Sequence, residues 1–253
     1  MASPTPNKIY KDENEMIGPA REGVLRVLRV ARDAGVKRVV LTSAFGAIGV
    51  GHKNHKGPYT EKDWSNTDAK IHPYQKSKTL AEKAAWEFIQ QEGSGLELAT
   101  VNPVGVMGPI LGNDYSHSND IVRQMLEGKL KAVPKIYSDY VDVRDVAELH
   151  ILAMTRPEAN GERFIASSAE NLSTLKIANI LRKHLGKAIC DESVRFSAEG
   201  SIIFLLNHRI IEGFAYDLLK DMKYLRSGTA FRIMGMGIRR SVREVISEKG
   251  KLS

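Results

Sequence analysis

The chain has 253 residues, of which 37 are basic and 30 acidic, giving a formal net charge of +7. With 42% apolar and 26% charged residues it can bury a substantial core, which excludes disordered and fibrous classes and predicts one large domain, with or without a small lobe. Most of the excess charge lies in residues 223–253, which hold eight basic and two acidic side chains. Because these basic residues alternate with apolar ones, as on a solvated helix face, we expect no nucleic-acid partner; a polyanion-binding tail is the alternative.

Cys190 is the only cysteine of the sequence, so no disulfide can form within the chain. This cysteine usage is typical of a reducing compartment, and the first residues lack the apolar stretch of a signal peptide. No apolar run approaches the roughly 20 residues of a membrane span. We therefore expect a cytoplasmic protein without a membrane partner.

Helix and strand patterns alternate along the chain. The first predicted helix, residues 14–34, repeats apolar residues at the helical period and ends at Gly35. The run that follows, Arg38–Ser43, is typical of a buried parallel strand. The strand predicted at 96–101 is expected to end at Asn102-Pro103, because proline cannot donate to a strand ladder. The remaining predicted elements are strands at 140–142 and 163–166 and helices at 74–91, 143–154, 174–185, 202–211 and 241–248.

This order of elements predicts an α/β fold with a mostly parallel sheet covered by helices on both faces. In such a doubly wound fold the functional groups gather at the carboxyl ends of the strands. Here those ends are Thr42-Ser43 and Val101-Asn102-Pro103.

Tyr74 and Lys78 are the strongest candidates for catalysis. Being four residues apart, they share one face of the helix predicted at 74–91, with Cβ atoms about 5–6 Å apart. An ammonium beside a phenol favours the phenolate, so we expect Lys78 to lower the tyrosine pKa toward neutrality. The spacing alone is weak evidence, because Tyr216 and Lys220 share it, and a pair on the helix surface is the alternative. The hydroxyls that end the preceding strand favour a proton-donating cluster that polarises a carbonyl.

Two other patterns favour structural interpretations. Gly46, Gly49 and Gly51 resemble a phosphate-binding loop, but the residues that follow cannot begin the helix which that loop requires, so we predict an ordinary loop. His52 and His55 have a spacing seen in metal sites without accompanying carboxylates or cysteines, so no metal site is predicted.

Asp142 and Asp145 are candidates for the paired carboxylates of glycoside chemistry. Their place before and within the first turn of a predicted helix favours capping and interaction with the helix dipole instead.

Four segments occur in a characteristic order. They are Val-Val-Leu-Thr42-Ser43, Tyr74-x-x-x-Lys78-Thr-Leu-Ala-Glu-Lys-Ala-Ala-Trp86, Val101-Asn-Pro103-Val-Gly-Val-Met-Gly-Pro109 and Tyr140-Val-Asp-Val-Arg-Asp-Val-Ala147. Together they resemble the extended short-chain dehydrogenases/reductases, and within them the branch of dihydroflavonol, aldehyde and methylglyoxal reductases. The resemblance covers residues 1–185, with a looser likeness at 226–246.

The resemblance implies reduction of a ketone or aldehyde with NADP, or NAD, as the cofactor. Tyr74 would donate the proton to the carbonyl oxygen, and Lys78 would lower the tyrosine pKa and bind the nicotinamide ribose. Ser43 is the third expected catalytic residue, orienting the carbonyl. The cofactor contacts that the resemblance implies fall on Ala2, Ser3, Thr42, Tyr74, Lys78, Pro103, Val104 and Val106.

The sequence departs from the family pattern in two places. The family commonly reads Thr-Ser-Ser at the end of this strand, and the second serine is replaced here by Ala44, so Ser43 or Thr42 substitutes or the hydroxyl is missing. Family members also place a strand, a Gly-x-x-Gly-x-x-Gly turn and further strand–helix units before the segment that matches Ala2-Ser3-Pro4. We expect roughly 60–80 such residues, with the pyrophosphate-binding glycines and the determinants of NAD or NADP, to be missing here.

We therefore expect a partial Rossmann-type sheet formed by residues 1–110 and 138–170, and a small substrate lobe formed by 111–137 and 171–253. The expected partner is a small-molecule carbonyl or alcohol, and a homodimer is left open. Shortened in this way, the chain alone is expected to bind dinucleotide poorly. The alternative is a non-catalytic binding or regulatory protein that keeps the reductase fold.

Overall fold

The helices and strands follow the predicted alternation. The structure is a computed structural model that describes residues 12–109, 116–127, 129, 136–168 and 171–185. Its helices are α1 (Asn14–Asp33), α2 (Pro73–Glu92), α3 (His117–Leu126), α4 (Val143–Thr155) and α5 (Thr174–Leu185). Its strands are β1 (Arg38–Thr42), β2 (Glu97–Pro103), β3 (Gly105–Met107), β4 (Tyr137–Ser138), β5 (Tyr140–Asp142), β6 (Arg163–Ala166) and β7 (Leu172–Ser173).

The chain divides into two units, each of which is described by itself. The described residues of the first unit are 12–102 and 148–165. Those of the second unit are 103–109, 116–127, 129, 136–147, 166–168 and 171–185. The boundaries expected for the Rossmann part and the substrate lobe stay a prediction.

A three-stranded sheet in the order β1-β2-β6 forms the centre of the first unit. Strands β1 and β2 run parallel, in a register that pairs Arg38 with Glu97 and Thr42 with Val101. The buried residues of α1 recur at every fourth position, from Met16 to Leu28, so they form a stripe along one face of that helix. That stripe joins a core cluster with residues of β1, α2 and β2, namely Val24, Leu28, Leu41, Ala85, Phe88, Leu96 and Leu98.

Strand β1 directs its side chains alternately to two faces of the sheet, as an extended backbone does. Leu41 packs in the core cluster with α1 and α2, whereas the hydroxyl of Thr42 contacts His150 of α4. Ser43 returns to the first face and contacts Glu82 of α2. Helices therefore cover both faces of this sheet, and the prediction of a doubly wound α/β arrangement is confirmed.

The second unit contains two strand pairs. Strands β3 and β5 are parallel, and β4 and β7 are antiparallel. Its core gathers residues from β3, α3, β5, β7 and α5, namely Met107, Met125, Tyr140, Leu172, Ile177, Ala178 and Leu181. Ser116 caps the start of helix α3, because its side chain accepts a hydrogen bond from the backbone N–H of Asn119 at 3.3 Å.

Most predicted bounds agree with the structure to within two residues, including Gly35, which ends α1 in a left-handed conformation with φ of 69°. One prediction was wrong: strand β2 continues through Asn102 to Pro103. The pairing with β1 already ends at Val101, so the missing N–H of Pro103 interrupts no bond of that ladder. The helices expected at 202–211 and 241–248 lie outside the described residues.

Candidate active site

The capping of helix α2 determines where the helix begins and places Tyr74 in its first turn. His72 precedes the helix, and its Nδ1 accepts a hydrogen bond from the Tyr74 backbone N–H at 3.2 Å. In return, the His72 backbone N–H donates to the Gln75 side chain at 3.3 Å, which completes a capping box. Pro73 occupies the first helical position, where its missing N–H costs nothing. Tyr74 therefore lies in a first turn whose position is set by local hydrogen bonds.

Tyr74 and Lys78 lie together on α2, as their spacing predicts. The Lys78 ammonium stands 5.8 Å from the centroid of the Tyr74 ring, and both side chains are half-buried. Among the residues that the structure describes, neither the Tyr74 hydroxyl nor the Lys78 ammonium has a hydrogen-bond partner. Half-buried polar groups usually have partners, so this pair is available to bind polar atoms of a ligand.

Burial dominates the pKa of both groups. It raises the pKa of Tyr74 above its ordinary value, because a partly apolar environment disfavours the charged phenolate. The pKa of Tyr74 is therefore shifted upward in this structure, whereas the sequence predicted a lowered value. Burial also lowers the pKa of Lys78, and the negative charge of Glu82 opposes that effect. Tyr74 is thus protonated at neutral pH, which is the state that a proton donor requires.

The two hydroxyls at the end of β1 are both engaged. Thr42 Oγ1 lies 2.8 Å from Nε2 of His150, and Ser43 Oγ donates to Glu82 Oε2 at 2.5 Å. Ala44 is extended, with φ of −159° and ψ of 155°, so its side chain and that of Thr42 point to one face and Ser43 to the other. Of the two proposed substitutes for the family serine, Thr42 is the one that shares the face of Ala44. The role of Ser43 as a carbonyl-orienting donor stays a prediction, and its one proton is committed to Glu82.

Glu82 is the residue that sequence reasoning missed. It lies on α2 four residues after Lys78 and is 1% exposed. Its Oε2 accepts from Ser43 at 2.5 Å and from the Asn102 amide at 2.7 Å, and its Oε1 accepts from Thr100 at 3.2 Å and Arg163 at 2.7 Å. Four polar side chains therefore surround this carboxylate, and the single proton of Thr100 is shared with Asn102 Oδ1, 3.1 Å away. The spacing of Tyr74, Lys78 and Glu82 by four residues was the available signal.

Arg163 connects this carboxylate to the loop before α2. Its Nε donates to Glu82, while its Nη1 donates to the backbone oxygens of Glu61 at 2.6 Å and Asp63 at 2.7 Å. The guanidinium also stacks on Trp64, with 3.8 Å between its central carbon and the ring centroid. The loop and helix α2 are thereby held by one buried cation.

The residues predicted to wall the nicotinamide lie in the second unit. Pro103 is buried, and Val104 and Val106 are half-buried. The Val104 N–H donates to the carbonyl of Ala166 at 3.1 Å, and Val106 pairs with Val141 in the β3–β5 ladder. Their contact with a cofactor stays a prediction. Ala2 and Ser3 lie outside the described residues.

The glycine-containing segment after β1 is a loop, as predicted. It forms a 3-10 turn at Phe45–Ala47, and Gly51 has a φ of 84° with its Cα so close to Asn66 that an added Cβ would lie 2.6 Å from that carbonyl oxygen. A cavity of about 800 Å³ opens along this loop. It is lined by Gly51, His52, Lys53, Asn54, His55, Lys56, Asn66, Asp68 and Ala69.

Metal ligation finds no support in the part of the chain that the structure describes, where no group of three or more candidate ligands is assembled. His52 Nε2 donates to the Trp64 carbonyl at 2.8 Å, and His55 stacks on Tyr59 at 3.8 Å between ring centroids. Asp142 caps α4, as expected, by accepting from the Arg144 N–H at 2.7 Å. None of the described helices combines the length and apolar character needed to cross a bilayer.

A doubly wound α/β unit that carries a neighbouring tyrosine and lysine on one helix is typical of a dehydrogenase-like class of protein. The family model for the NAD dependent epimerase/dehydratase family matches residues 4–166. The chain belongs to this family.

Relatives point to the reductases of the family. The chain is 35% identical over 188 residues to an NADPH-dependent methylglyoxal reductase of Saccharomyces cerevisiae, covering 66% of this chain and 55% of that protein. It is 34% identical over 183 residues to a cinnamoyl-CoA reductase of Arabidopsis thaliana, covering 71% of this chain and 52% of the plant enzyme. The chain thus spans about half the length of the curated relatives it matches.

The fold is shared with a solved reductase. The crystal structure of a yeast methylglyoxal/isovaleraldehyde reductase complexed with NADPH is similar, with a TM-score of 0.69 and 25% identity. The likeness covers 98% of this chain and 76% of that one. The Rossmann-like α/β fold predicted from the sequence is confirmed.

Proposed function

We propose that this chain takes part in the NAD(P)H-dependent reduction of an aldehyde or ketone to an alcohol, with Tyr74 as the proton donor. The observation that carries the proposal is the Tyr74–Lys78 pair, two neighbouring polar groups without a partner among the described residues. The named relatives support the reaction class, since they reduce methylglyoxal with NADPH or are cinnamoyl-CoA reductases.

In this mechanism the carbonyl oxygen of the substrate accepts a hydrogen bond from the Tyr74 hydroxyl. Hydride for the carbonyl carbon would come from a nicotinamide bound beside Lys78. As negative charge develops on the oxygen, the Tyr74 proton transfers to it, and the product is the alcohol. The Lys78 ammonium stabilises the phenolate left on Tyr74 until a proton returns from solvent.

The described residues fit the nicotinamide end of such a cofactor. The ammonium of Lys78 has donors to spare for ribose hydroxyls, because no carboxylate of the described chain forms an ion pair with it. Thr42, Pro103, Val104 and Val106 are the further proposed contacts. NADP is preferred over NAD in this proposal because the relative from Saccharomyces cerevisiae is NADPH-dependent.

The proposed substrate is a small carbonyl compound. Methylglyoxal and cinnamoyl-CoA differ greatly in size, so the relatives set a reaction class and leave the substrate to be measured. A cytoplasmic location and a homodimer belong to the same proposal, the first supported by the single cysteine of the sequence.

The test is the oxidation of NADPH by the purified chain, followed at 340 nm with methylglyoxal and a series of aldehydes. We expect Tyr74→Phe to lower kcat about 10²- to 10⁴-fold, the range typical of a lost general acid. Its stability should stay that of the wild type, because the hydroxyl makes no described hydrogen bond. Tyr216→Phe is the matched control, since Tyr216 has the same spacing to a lysine, and it should leave kcat unchanged.

Two results would count against catalysis. Equal turnover by Tyr74→Phe and the wild type would remove Tyr74 from the reaction. NADPH binding, measured by quenching of its fluorescence, without turnover of any carbonyl would favour the non-catalytic alternative.

A further inference from the structure

We propose that Glu82 is a positioning residue for the Tyr74–Lys78 pair: its buried carboxylate ties helix α2 to all three strands of the first unit and so determines where the two side chains stand. This role rests on the function proposed above. Glu82 itself touches neither the reacting carbonyl nor the cofactor in this proposal.

Every hydrogen bond of this carboxylate crosses from α2 to another element. Ser43 follows the end of β1, Thr100 and Asn102 belong to β2, and Arg163 begins β6. Asn102 extends the set, because its amide also lies 3.3 Å from the Ala44 carbonyl. One side chain of α2 therefore contacts the hydroxyl directly after β1 and side chains of both other strands, and Asn102 links the same set to the backbone at Ala44.

The apolar contacts of α2 near Glu82 are less directional than its hydrogen bonds. The buried apolar residues next to Glu82 on this helix are small, namely Ala81, Ala84 and Ala85, and the large Phe88 lies nearer the end of the helix. Contacts between alanines are short-range and have no preferred direction, so they permit a helix to slide or rotate by fractions of an ångström. Hydrogen bonds to a charged group lose strength steeply with distance and angle, so four of them select one position.

Glu82 lies close enough along the helix to transmit this position. Eight residues separate it from Tyr74, which corresponds to about 12 Å of helix, and Lys78 lies midway. An α-helix is stiff over two turns, so a displacement at Glu82 moves both side chains together. The Lys78 ammonium lies 5.8 Å from the centroid of the Tyr74 ring, near the limit of about 6 Å for a cation–π interaction. A small displacement of either side chain would therefore change the strength of that interaction.

Charge supports the same conclusion. Arg163 pairs with Glu82, with side-chain exposures of 9% and 0%, so the pair is shielded from water. The Glu82 charge also opposes the effect of burial on the pKa of Lys78, and it thereby helps keep the ammonium protonated. Position and charge state of the catalytic lysine both depend on this carboxylate.

The test compares Glu82→Gln with the double variant Glu82→Gln, Arg163→Gln. The single variant leaves a buried arginine without its counter-ion and is at risk of unfolding, whereas the double variant removes both charges together. Glu97→Gln is the matched control, because it breaks another arginine pair in the same sheet, that with Arg38. Thr100→Val has nearly the same shape and removes the hydroxyl that contacts Glu82 Oε1 and Asn102 Oδ1, so we expect a folded protein with a smaller perturbation.

Two readouts are taken on each folded variant. The first is the steady-state kinetics of carbonyl reduction, in which we expect the double variant to lower kcat at least tenfold and to change KM by less than about threefold. The second is the titration of Lys78, observed by NMR after ¹³C-methylation of the lysines and assigned with Lys78→Arg. We expect Lys78 to titrate at a lower pH in the double variant, a smaller shift for Thr100→Val, and none for Glu97→Gln.

The two readouts separate this proposal from the proposed function. If the wild type reduces no carbonyl, the proposed function fails, and the Lys78 titration still decides whether Glu82 controls the pair. A folded double variant with the wild-type kcat and the wild-type Lys78 titration overturns the proposal. A Glu97→Gln variant that reproduces the shift would also overturn it, because the effect would then be one of general stability.

Discussion

Two arginine–carboxylate pairs in the first unit have similar geometry and different surroundings. Arg38 Nε donates to Glu97 at 2.7 Å, and Arg163 Nε donates to Glu82 at the same distance. Glu97 keeps 24% of its side chain exposed and Arg38 keeps 6%, whereas Glu82 is fully buried. Arg38 also donates to backbone carbonyls at the end of α4, including Ala153 at 3.0 Å.

The difference shows which of the two pairs depends on its partner. Water can solvate Glu97 when its arginine is lost, so that pair contributes mainly through the helix end that Arg38 caps. Glu82 has no such alternative, since its side chain is fully buried and only protein groups can bind it. Burial, more than distance, therefore separates a replaceable ion pair from one on which the site is built.

The largest expected effect comes from Arg163→Met, which leaves the Glu82 carboxylate buried without its counter-ion. We expect a loss of about 3–5 kcal/mol in the free energy of unfolding, measured by urea denaturation. Because the substitution also removes the bonds to the loop at Glu61 and Asp63, proteolysis in that loop should become faster. A loss below about 1 kcal/mol would contradict the comparison.

A smaller effect is expected from Arg38→Met. Glu97 can turn to water, and the carbonyls at the end of α4 are exposed enough to be hydrated, so we expect a loss of about 1–3 kcal/mol in the same assay. If Arg38→Met proved as costly as Arg163→Met, burial of the carboxylate would not explain the difference between the pairs.

The smallest effect is expected from Asp63→Asn, which probes the loop that Arg163 holds. Asp63 accepts from the Thr60 N–H at 2.7 Å, and this bond lowers the pKa of the carboxyl below its ordinary value. Because its pKa is lowered, the Asp63 carboxylate stabilises the folded protein at pH values above its ordinary pKa of about 3.8–3.9. That stabilisation is lost as the pH falls through the lowered pKa. Because Asp63 is largely solvated, we expect Asp63→Asn to cost about 0.5 kcal/mol or less at pH 7.

The decisive measurement for Asp63 is the difference in urea midpoint between wild type and Asp63→Asn, followed from pH 7 to about pH 3. It should shrink as the pH falls. A difference that grew toward low pH would show that the carboxyl does not stabilise the loop through its charge.

The long elements of the fold could be predicted because their patterns are local. The stripe of apolar residues in α1 and the β-branched run of β1 each satisfy one period over many residues. Strands β3, β4 and β7 have two or three residues each, too few to show any period, and they exist only because distant segments pair with them. Helix α3 has a capping serine, Ser116, that indicated its start and was not used.

The candidate site divides in the same way. The Tyr74–Lys78 pair follows from helix geometry, so spacing predicted it, whereas the neighbours of Glu82 come from positions 43, 100, 102 and 163 and no local pattern connects them. The raised pKa of Tyr74 was missed for a related reason, because burial depends on the packed fold. The spacing of Tyr74 and Lys78 alone predicted a lowered pKa, whereas the pKa is raised.

The capping box at the start of α2 determines which changes of length this protein tolerates. His72 and Gln75 set the first turn, so inserting one residue between Tyr74 and Glu82 would rotate the tyrosine by about 100° relative to the anchored end of the helix. Insertions in the loop before His72 leave the helical register unchanged, because the cap re-forms at the same residue. We therefore expect this chain to tolerate an inserted residue before His72 better than one within the eight-residue interval from the phenol to the buried carboxylate.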